Sequence, residues 1–400
     1  YSGTFPPDVS ITNIDNDTAG ITVTPTSGLT TTEAGGTATF TVVLTSQPTA
    51  NVTIGLTSSN TAEGTVSPSS VTFSSGNWNT PQTVTLTGVD DSVDDGDAAY
   101  SIVTAAATSA DANYNGLNAS DVSVTNTDND TAGFNVSAIS KNTTEPGGTA
   151  TFTIRLTSQP TANVTVGLTS SNTAEGTVSP SSVTFTSGNW NTPQTVTVTG
   201  VDDDLDDGNV AYSIVTAPAT SGDATYAGLN PSDVAVINAD DDTSGFGLST
   251  ISGNTTEGGG TATFSIALTA QPTANVTVGL TSSNTAEGTV SPSSVTFTSA
   301  NWGSPQTVTV TGVDDFVVDG AVAYTIITAA ATSADTNYNG LNPADVSVTN
   351  TDNDAAGITV TPTSGLTTTE AGGTATFTVV LTSQPTANVT VGLSSNDITE

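Results

Sequence analysis

The sequence predicts an all-β protein built from tandem, immunoglobulin-like β-sandwich domains with seven strands each. Three observations predict it: a long internal repeat, short segments in which apolar and polar residues alternate, and Gly, Pro, Asn, Asp and Ser between those segments. No segment shows the helical period of about 3.6 residues. The number and spacing of the short segments are typical of a β-sandwich.

The internal repeat is as long as a domain. One tryptophan marks each copy, and Trp78, Trp190 and Trp302 are each 112 residues apart. This period is too long for one turn of a solenoid and suits a domain that folds on its own. We expect three whole repeats placed end to end, which are 18–130, 131–242 and 243–354.

Parts of two more repeats flank the three whole ones. Residues 1–17 match the end of a repeat, and residues 355–400 match the beginning of another. We therefore expect the chain to be an interior segment of a longer array.

Seven segments of the first repeat have the alternation of half-buried strands. In 37–44, for example, Ala38, Phe40, Val42 and Leu44 share one face and threonines occupy the other. Threonine is β-branched and uncharged, which favours a strand. The expected strands are 20–24, 37–44, 51–57, 70–74, 82–88, 98–104 and 121–125.

The few aromatic residues recur at fixed positions. Trp78 stands just before a strand, and Tyr100 and Tyr114 flank a later one. A single tryptophan at the entrance of a strand is more often a core anchor than a ligand contact. If these rings were exposed, they would form a binding platform, so an array of carbohydrate- or protein-binding modules is the alternative function.

The composition excludes several partners. The chain has 38 acidic residues, two basic ones and a formal net charge of −36. Nucleic acid needs clustered Lys and Arg, and an anionic membrane surface repels such a chain. We expect no nucleic-acid binding and no membrane insertion in this segment. Acidic repeats without cysteine are typical of bacterial cell-surface proteins, so we expect an extracellular location.

The composition also argues against an enzyme. Paired carboxylates can hydrolyse glycosides, but here they lie in turn-like strings, with one set in each repeat. The chain has no histidine, and neither a nucleophile motif nor a phosphate-binding loop accompanies the carboxylates. We therefore expect no catalytic residues.

The carboxylates cluster at the ends of the expected strands. In the first repeat they are Glu33, Glu63, the run 90–97, Asp128 and Asp130. Oxygen ligands without His or Cys suit Ca²⁺ rather than zinc or copper. Ordinary solvated turns are the alternative, because Asp is common in turns. Since carboxylates crowded together without a cation weaken a fold, we predict bound calcium.

These motifs resemble those of the Calx-beta domain family. The resemblance rests on TTEAGGTATFTV at 31–42, on the two acidic pairs at 90–91 and 94–95, and on VSVTNTDND at 122–130. The resemblance implies a seven-stranded immunoglobulin-like sandwich that binds calcium through loops at one end. It also implies a relation to the repetitive stalks of giant bacterial adhesins.

By position, the resemblance implies calcium ligands in every repeat. In the first repeat they are Glu33, Asp90, Asp91, Asp128 and Asp130, with Asp94 or Asp95 and Glu63 completing the shell. In the second they are Glu145, Asp202, Asp203, Asp206, Asp207, Asp240 and Asp242. In the third they are Glu257, Asp314, Asp315, Asp319, Asp352 and Asp354. The third repeat has Val318 and Ala321 in place of two acids, so its set is smaller.

Together these features predict a structural or adhesive extracellular fibre. Calcium would stiffen the repeats into a rod that projects from a bacterial cell or coats it. The rod would be either the stalk of one long adhesin or a polymerised filament. The expected partners are neighbouring repeats, other copies of the chain in a filament, and cell-surface or matrix ligands bound at a distal tip outside this segment.

Overall fold

The computed structural model describes residues 3–399, and the regular secondary structure in this range consists of strands. The predicted all-β class is confirmed. Within the same range no helix has the length and hydropathy needed to cross a membrane. Residues 1, 2 and 400 of the predicted flanking parts lie outside the described residues.

The first repeat is a sandwich of two sheets. One sheet has the strand order β1-β3-β7-β5, and the other has the order β2-β10-β8-β4-β6 with β9 beside β4. Its strands are β1 (Ile21–Thr24), β2 (Leu29–Thr32), β3 (Thr37–Leu44), β4 (Val52–Ser58), β5 (Gly64–Ser67), β6 (Ser70–Phe73), β7 (Gln82–Gly88), β8 (Ala98–Thr104), β9 (Thr108–Ser109) and β10 (Val122–Thr127).

One pairing in this sandwich is parallel. Strands β2 and β10 run side by side in the same direction, with Leu29 opposite Val124 and Thr32 opposite Thr127. The other paired strands of the repeat are antiparallel. Because β2 and β10 are parallel, their carboxyl ends lie together at one pole of the sandwich.

The second repeat has the same two sheets. Its strands are β11 (Phe134–Val136), β12 (Thr143–Thr144), β13 (Thr149–Leu156), β14 (Val164–Ser170), β15 (Gly176–Ser179), β16 (Ser182–Phe185), β17 (Gln194–Gly200), β18 (Val210–Thr216), β19 (Thr220–Ser221) and β20 (Val234–Ala239).

The third repeat has the same arrangement with one short strand fewer among the described residues, and one strand pair follows it. The strands of the third repeat are β21 (Phe246–Leu248), β22 (Thr255–Thr256), β23 (Thr261–Leu268), β24 (Val276–Ser282), β25 (Gly288–Ser291), β26 (Ser294–Phe297), β27 (Gln306–Gly312), β28 (Val322–Thr328) and β29 (Val346–Thr351). The pair in the partial fourth repeat is β30 (Ile358–Thr361) and β31 (Thr378–Leu381).

The alternation along the strands places one face of each sheet in the core. In β3 the side chains of Phe40, Val42 and Leu44 are at most 3% exposed, and Phe40 lies opposite Val84 of β7. Burying one such side chain stabilises a fold by about 1.5–3 kcal/mol. Each whole repeat has its own core cluster.

The structure contains more strands than the seven expected in the first repeat. All seven are present, and β2, β5 and β9 add to them. These three have at most four residues, and β2 and β9 contain almost only threonine and serine. Their pairing with neighbouring strands creates them, so no apolar alternation indicates them in the sequence.

The recurring aromatic residues of the first repeat pack in or against its core. Tyr100 and Tyr114 are buried, and Trp78 is partly buried and packs against the core cluster. The hydroxyl of Tyr114 donates to the backbone O of Ser46 at 2.6 Å and accepts from the backbone N–H of Ser46 at 3.1 Å. Because the tyrosines are covered, they do not form an exposed binding platform.

Candidate metal centre

The acidic residues of the first repeat meet at the pole where β2 and β10 end. Glu33 directly follows β2, and Asp128 directly follows β10. The backbone N–H of Glu33 donates to the backbone O of Thr127 at 3.1 Å, which continues the parallel pairing by one step. The loop between β7 and β8 carries the run 90–97 to the same pole.

Glu33, Asp128 and Asp130 form one close group of carboxylates. Each offers a carboxylate oxygen, and these oxygens lie within 4.8 Å of one another. Glu33 is only 3% exposed, and its Oε2 accepts the backbone N–H of Asn129 at 3.2 Å. Burial raises the pKa of Glu33 to about 7, and the carboxylates of Asp128 and Asp91 add to this effect.

Both carboxylate oxygens of Asp128 accept hydrogen bonds from the backbone. Its Oδ1 accepts the backbone N–H of Asp130 at 2.7 Å, and its Oδ2 accepts the backbone N–H of Gly96 at 2.7 Å. Burial by itself raises the pKa of Asp128, but these hydrogen bonds outweigh it and lower the pKa. Burial raises the pKa of Asp130, and the charges of Asp128 and Asp90 raise it further.

The β7–β8 loop is folded around its own carboxylates. The Oδ1 of Asp91 accepts the backbone N–H of Val93 at 2.7 Å, and Gly96 turns the chain with φ 80°. Burial raises the pKa of Asp95, with the charges of Asp91 and Glu63 as further causes. The loop therefore presents several carboxylates to the group of Glu33.

A buried asparagine joins the pole to the core. The Oδ1 of Asn126 accepts the hydroxyl of Thr31 at 2.9 Å. Its side-chain amide donates to Glu63 Oε2 at 3.3 Å and to the backbone O of Val89 at 3.1 Å. These contacts hold Glu63 and the start of the β7–β8 loop in place. The equivalent residues of the second and third repeats, Asn238 and Asn350, bond the equivalent glutamate and backbone O in their own repeats.

The other two repeats form the corresponding groups. Carboxylate oxygens lie within 4.8 Å of one another in Glu145, Asp240 and Asp242, and in Glu257, Asp352 and Asp354. Burial raises the pKa of Glu145 to about 7 and also raises the pKa of Glu257.

The second repeat has two further groups within the same distance. One consists of Glu145, Asp202 and Asp241, and the other of Glu175, Asp203 and Asp207. Asp241 and Glu175 are not among the ligands predicted from the sequence. Glu175 lies 112 residues after Glu63 and Glu287 another 112 residues later, so the period alone indicates both. Asp241 stands where the other repeats have Asn129 and Asn353, and a comparison of the repeats shows it.

The remaining predicted residues lie in the loops around these groups. The Oδ2 of Asp94 and of Asp206 accepts a backbone N–H of the following repeat. In the third repeat, Asp314 accepts the side-chain amide of Asn353 at 3.1 Å and Asp315 accepts the N–H of Val317 at 2.7 Å. The charge of Asp319 contributes to the raised pKa of Glu257.

The donor set fits a hard divalent cation. Every charged donor is a carboxylate, and the two basic residues of the chain cannot neutralise three such poles. Within the described residues, Asp354 Oδ2 is a covered side-chain oxygen without a hydrogen-bond partner. A covered, unpaired carboxylate oxygen in a group of three carboxylates is the environment in which Ca²⁺ binds.

Comparison with known proteins gives one family. The sequence model of the Calx-beta domain matches residues 15–130, 125–243, 239–354 and 351–399. No curated protein sequence matches the chain.

Three solved structures illustrate the structural similarity. The calcium binding domain CBD12 of CALX1.1 is 14% identical, with a TM-score of 0.27, over 55% of this chain and 100% of that chain. CBD12 from CALX1.2 is 14% identical, with a TM-score of 0.23, over 51% of this chain and 82% of that one. Domains 4–9 of the surface layer protein SbsC are 17% identical, with a TM-score of 0.23, over 88% of this chain and 54% of that one.

Proposed function

Because the chain belongs to the Calx-beta domain family, we propose that each whole repeat is one domain that binds calcium at its acidic pole. In the first repeat, Glu33, Asp128 and Asp130 hold the ion together with carboxylates of the β7–β8 loop. A bound Ca²⁺ supplies the positive charge that these crowded carboxylates need. The protein places these carboxylate oxygens on three loops, which follow β2, β7 and β10 and are anchored to the core by those strands.

The position of Asp130 carries this proposal. Asp130 belongs to the group of Glu33 and Asp128, and only three residues separate it from Phe134, the first residue of β11 in the next repeat. An ion held by Asp130 therefore restrains the segment that joins two repeats. Repeated at every junction, this restraint makes a string of domains into a stiff rod.

We place the rod outside the cell, where it projects from a bacterial cell or coats it. The near-identical repeats, the absence of cysteine and the strong negative charge support this location. Calcium is abundant there, which suits sites that depend on it. The rod is either the stalk of a single adhesin or a subunit of a filament, and its distal ligand is a cell-surface or matrix molecule.

Calcium titration of the full chain tests the proposal. We expect isothermal titration calorimetry to show binding and a chelator to lower the melting temperature. Ligand at a hundredfold excess over its Kd stabilises a folded state by about 2.7 kcal/mol. Small-angle scattering should show a longer, narrower particle with calcium. The triple variant Glu33→Gln, Glu145→Gln, Glu257→Gln is the control and should respond less. If the chelator changed neither melting nor length, the carboxylates would be ordinary solvated turns.

A further inference from the structure

We propose that the third repeat completes the acidic pole of the second repeat, and that Asn337 of the third repeat is a positioning residue for the calcium bound there. Asn337 is not itself a ligand. It holds the loop that carries four of the predicted ligands of the second repeat. The calcium part of this inference rests on the proposed function, whereas the contact between the two repeats rests on the structure alone.

The loop in question joins β17 to β18 and comprises residues 201–209. It supplies carboxylates to two groups of the second repeat. Asp202 belongs to one group, with Glu145, and Asp203 and Asp207 belong to the other. The carboxylate oxygens within each group lie within 4.8 Å of one another. Because these negative charges repel one another, the loop keeps this geometry without an ion only where other contacts hold it.

Three hydrogen bonds from the third repeat hold this loop. The backbone N–H of Gln271 donates to the backbone O of Asp204 at 2.6 Å. The backbone N–H of Ser244 donates to Asp206 Oδ2 at 2.8 Å. The side-chain amide of Asn337 donates to the backbone O of Asp206. Two of the three bonds therefore fix Asp206, which is a predicted ligand, and the other fixes the loop two residues earlier.

The amide contact distinguishes the second junction from the first. The first junction has the equivalents of the bonds donated by backbone N–H groups, to Ser92 at 2.6 Å and to Asp94 at 2.7 Å. The residue equivalent to Asn337 is Thr225. Its hydroxyl donates to Asp223 Oδ1 at 2.8 Å, within its own repeat. Between complete repeats in the described range, the amide contact therefore occurs at the second junction alone.

The docked loop also covers the surface that receives it. In the first repeat, which only residues 3–17 precede in the structure, Ser46 is half-buried and Gln47 is exposed. In the third repeat the equivalent Ala270 is buried and Gln271 is half-buried. Hydrogen bonds that are covered in this way are stronger than hydrogen bonds in open water. The contact between the loop and the third repeat therefore extends beyond the three hydrogen bonds.

Holding the loop favours calcium binding at the second pole. A loop that is already fixed in the ligand geometry loses less conformational freedom when the ion binds. By linkage, calcium at the pole strengthens the docking of the third repeat by the same factor. One hydrogen bond of ordinary strength corresponds to about a two- to tenfold change in Kd. The side chain of a residue in one repeat thus sets the calcium affinity of its neighbour.

Calcium titration of matched variants tests this inference. In the full chain, Glu33→Gln and Glu257→Gln weaken binding at the first and third poles, so that calorimetry follows the second pole. In this background we expect Asn337→Ala to raise the calcium Kd about two- to tenfold. Asn337→Asp, which sets a carboxylate against the backbone O of Asp206, should raise the Kd further.

Asn113 of the first repeat provides the matched control. Its backbone N–H donates to Asp111 Oδ1 at 2.9 Å, as that of Asn337 donates to Asp335 Oδ1 at 2.9 Å. Neither bond uses the side chain, so replacing the amide changes both repeats in the same way. Asn113→Ala and Asn113→Asp should leave the Kd of the second pole unchanged. Equal effects of the Asn113 and Asn337 variants, or no effect of either, would overturn the inference.

A distance measurement in chelator does not depend on calcium binding. The chain contains no cysteine, so cysteines in place of the exposed Thr169 and Thr281 can carry spin labels across the second junction. Asn337→Ala should broaden the distance distribution from electron–electron double resonance, and Asn113→Ala should not. An unchanged distribution would contradict the docking role of Asn337. If the second pole bound no calcium while Asn337→Ala still broadened the distribution, the proposed function would fail and the contact between the repeats would stand.

Discussion

The side-chain amide of Asn129 donates a hydrogen bond to Asp90 Oδ1 at 3.0 Å, which joins the loop after β10 to the loop after β7. The third repeat makes the same contact between Asn353 and Asp314 at 3.1 Å. In the second repeat, Asp241 replaces the asparagine, and its carboxylate faces that of Asp202 within a group of three carboxylates. One substitution thus exchanges an attractive contact for a repulsive one.

Replacing Asp241 by asparagine should stabilise the calcium-free chain. The amide restores the hydrogen bond and removes one negative charge. Because residue 241 is exposed, solvent screens much of the effect, and we expect about 0.5–1 kcal/mol in the free energy of unfolding. Thermal melting in chelator measures it. Asn129→Asp is the matched control and should lower the melting temperature. A lower melting temperature for Asp241→Asn would contradict the prediction.

The calcium-free chain should lose stability as the pH rises from about 4.5 to about 7. The pKa of Glu33 and that of Glu145 are raised from 4.5 to about 7 in the folded state. Between these values the folded state binds more protons than the unfolded state, so the free energy of unfolding falls with increasing pH. Calorimetric melting of the metal-free chain across this range measures the slope.

Two further observations check the pH dependence. The double variant Glu33→Gln, Glu145→Gln should have a flatter profile, because its amides do not titrate. With calcium present, the trend should reverse over the same range, since protons compete with the ion for the carboxylates. A metal-free chain whose melting temperature rose from pH 4.5 to pH 7 would contradict the raised pKa values.

Removing the hydroxyl of Tyr114 should destabilise the first repeat. Tyr114→Phe leaves the backbone N–H and O of Ser46 without this partner. Because Ser46 is only half-buried, we expect the net loss of a typical hydrogen bond, about 0.5–1.5 kcal/mol. Tyr100→Phe is the matched control, since its hydroxyl lies 3.3 Å from the Thr31 hydroxyl and makes a weaker contact. Denaturant unfolding compares the two variants. Equal losses for both would argue against the role of the Tyr114 hydroxyl.

Gly88→Ala should disturb the fold and the candidate metal centre together. A Cβ at this position would overlap the backbone O of Thr32 and the side-chain oxygen of Asn126. Overpacking of this kind costs about 1–3 kcal/mol, and a shift of Thr32 moves Glu33. We expect a lower melting temperature and weaker calcium binding. Gly76→Ala, whose Cβ would meet only Ser74 Oγ at 3.8 Å, should change neither.

The strands could be predicted where apolar and polar residues alternate along the sequence. Strands such as β3 and β7 contain a buried residue at every second position, which only a half-buried strand requires. Strand β2, with the sequence Leu-Thr-Thr-Thr, has no such pattern, and its parallel partner β10 is more than 90 residues away. Long-range pairing of this kind has no local signal.

The sequence predicts which residue types form the candidate metal centre and, in part, which loops carry them. Acidic residues at strand ends indicate which loops carry charge, but sequence does not show which oxygens approach each other. Only the fold brings Glu33 beside Asp128 and Asp130. The role of Asp94 in contacting Ala132 depends on how two repeats pack, and no pattern within one repeat contains that information.

The parallel pairing of β2 with β10 determines how a repeat responds to mechanical tension. The chain enters each repeat near one strand of this pair and leaves directly after the other. Pulling the two ends apart therefore draws β2 and β10 in opposite directions along their length. The hydrogen bonds between Leu29–Thr32 and Val124–Thr127 then bear the load together instead of opening one after another. A sandwich built in this way resists force in shear, whatever its equilibrium stability.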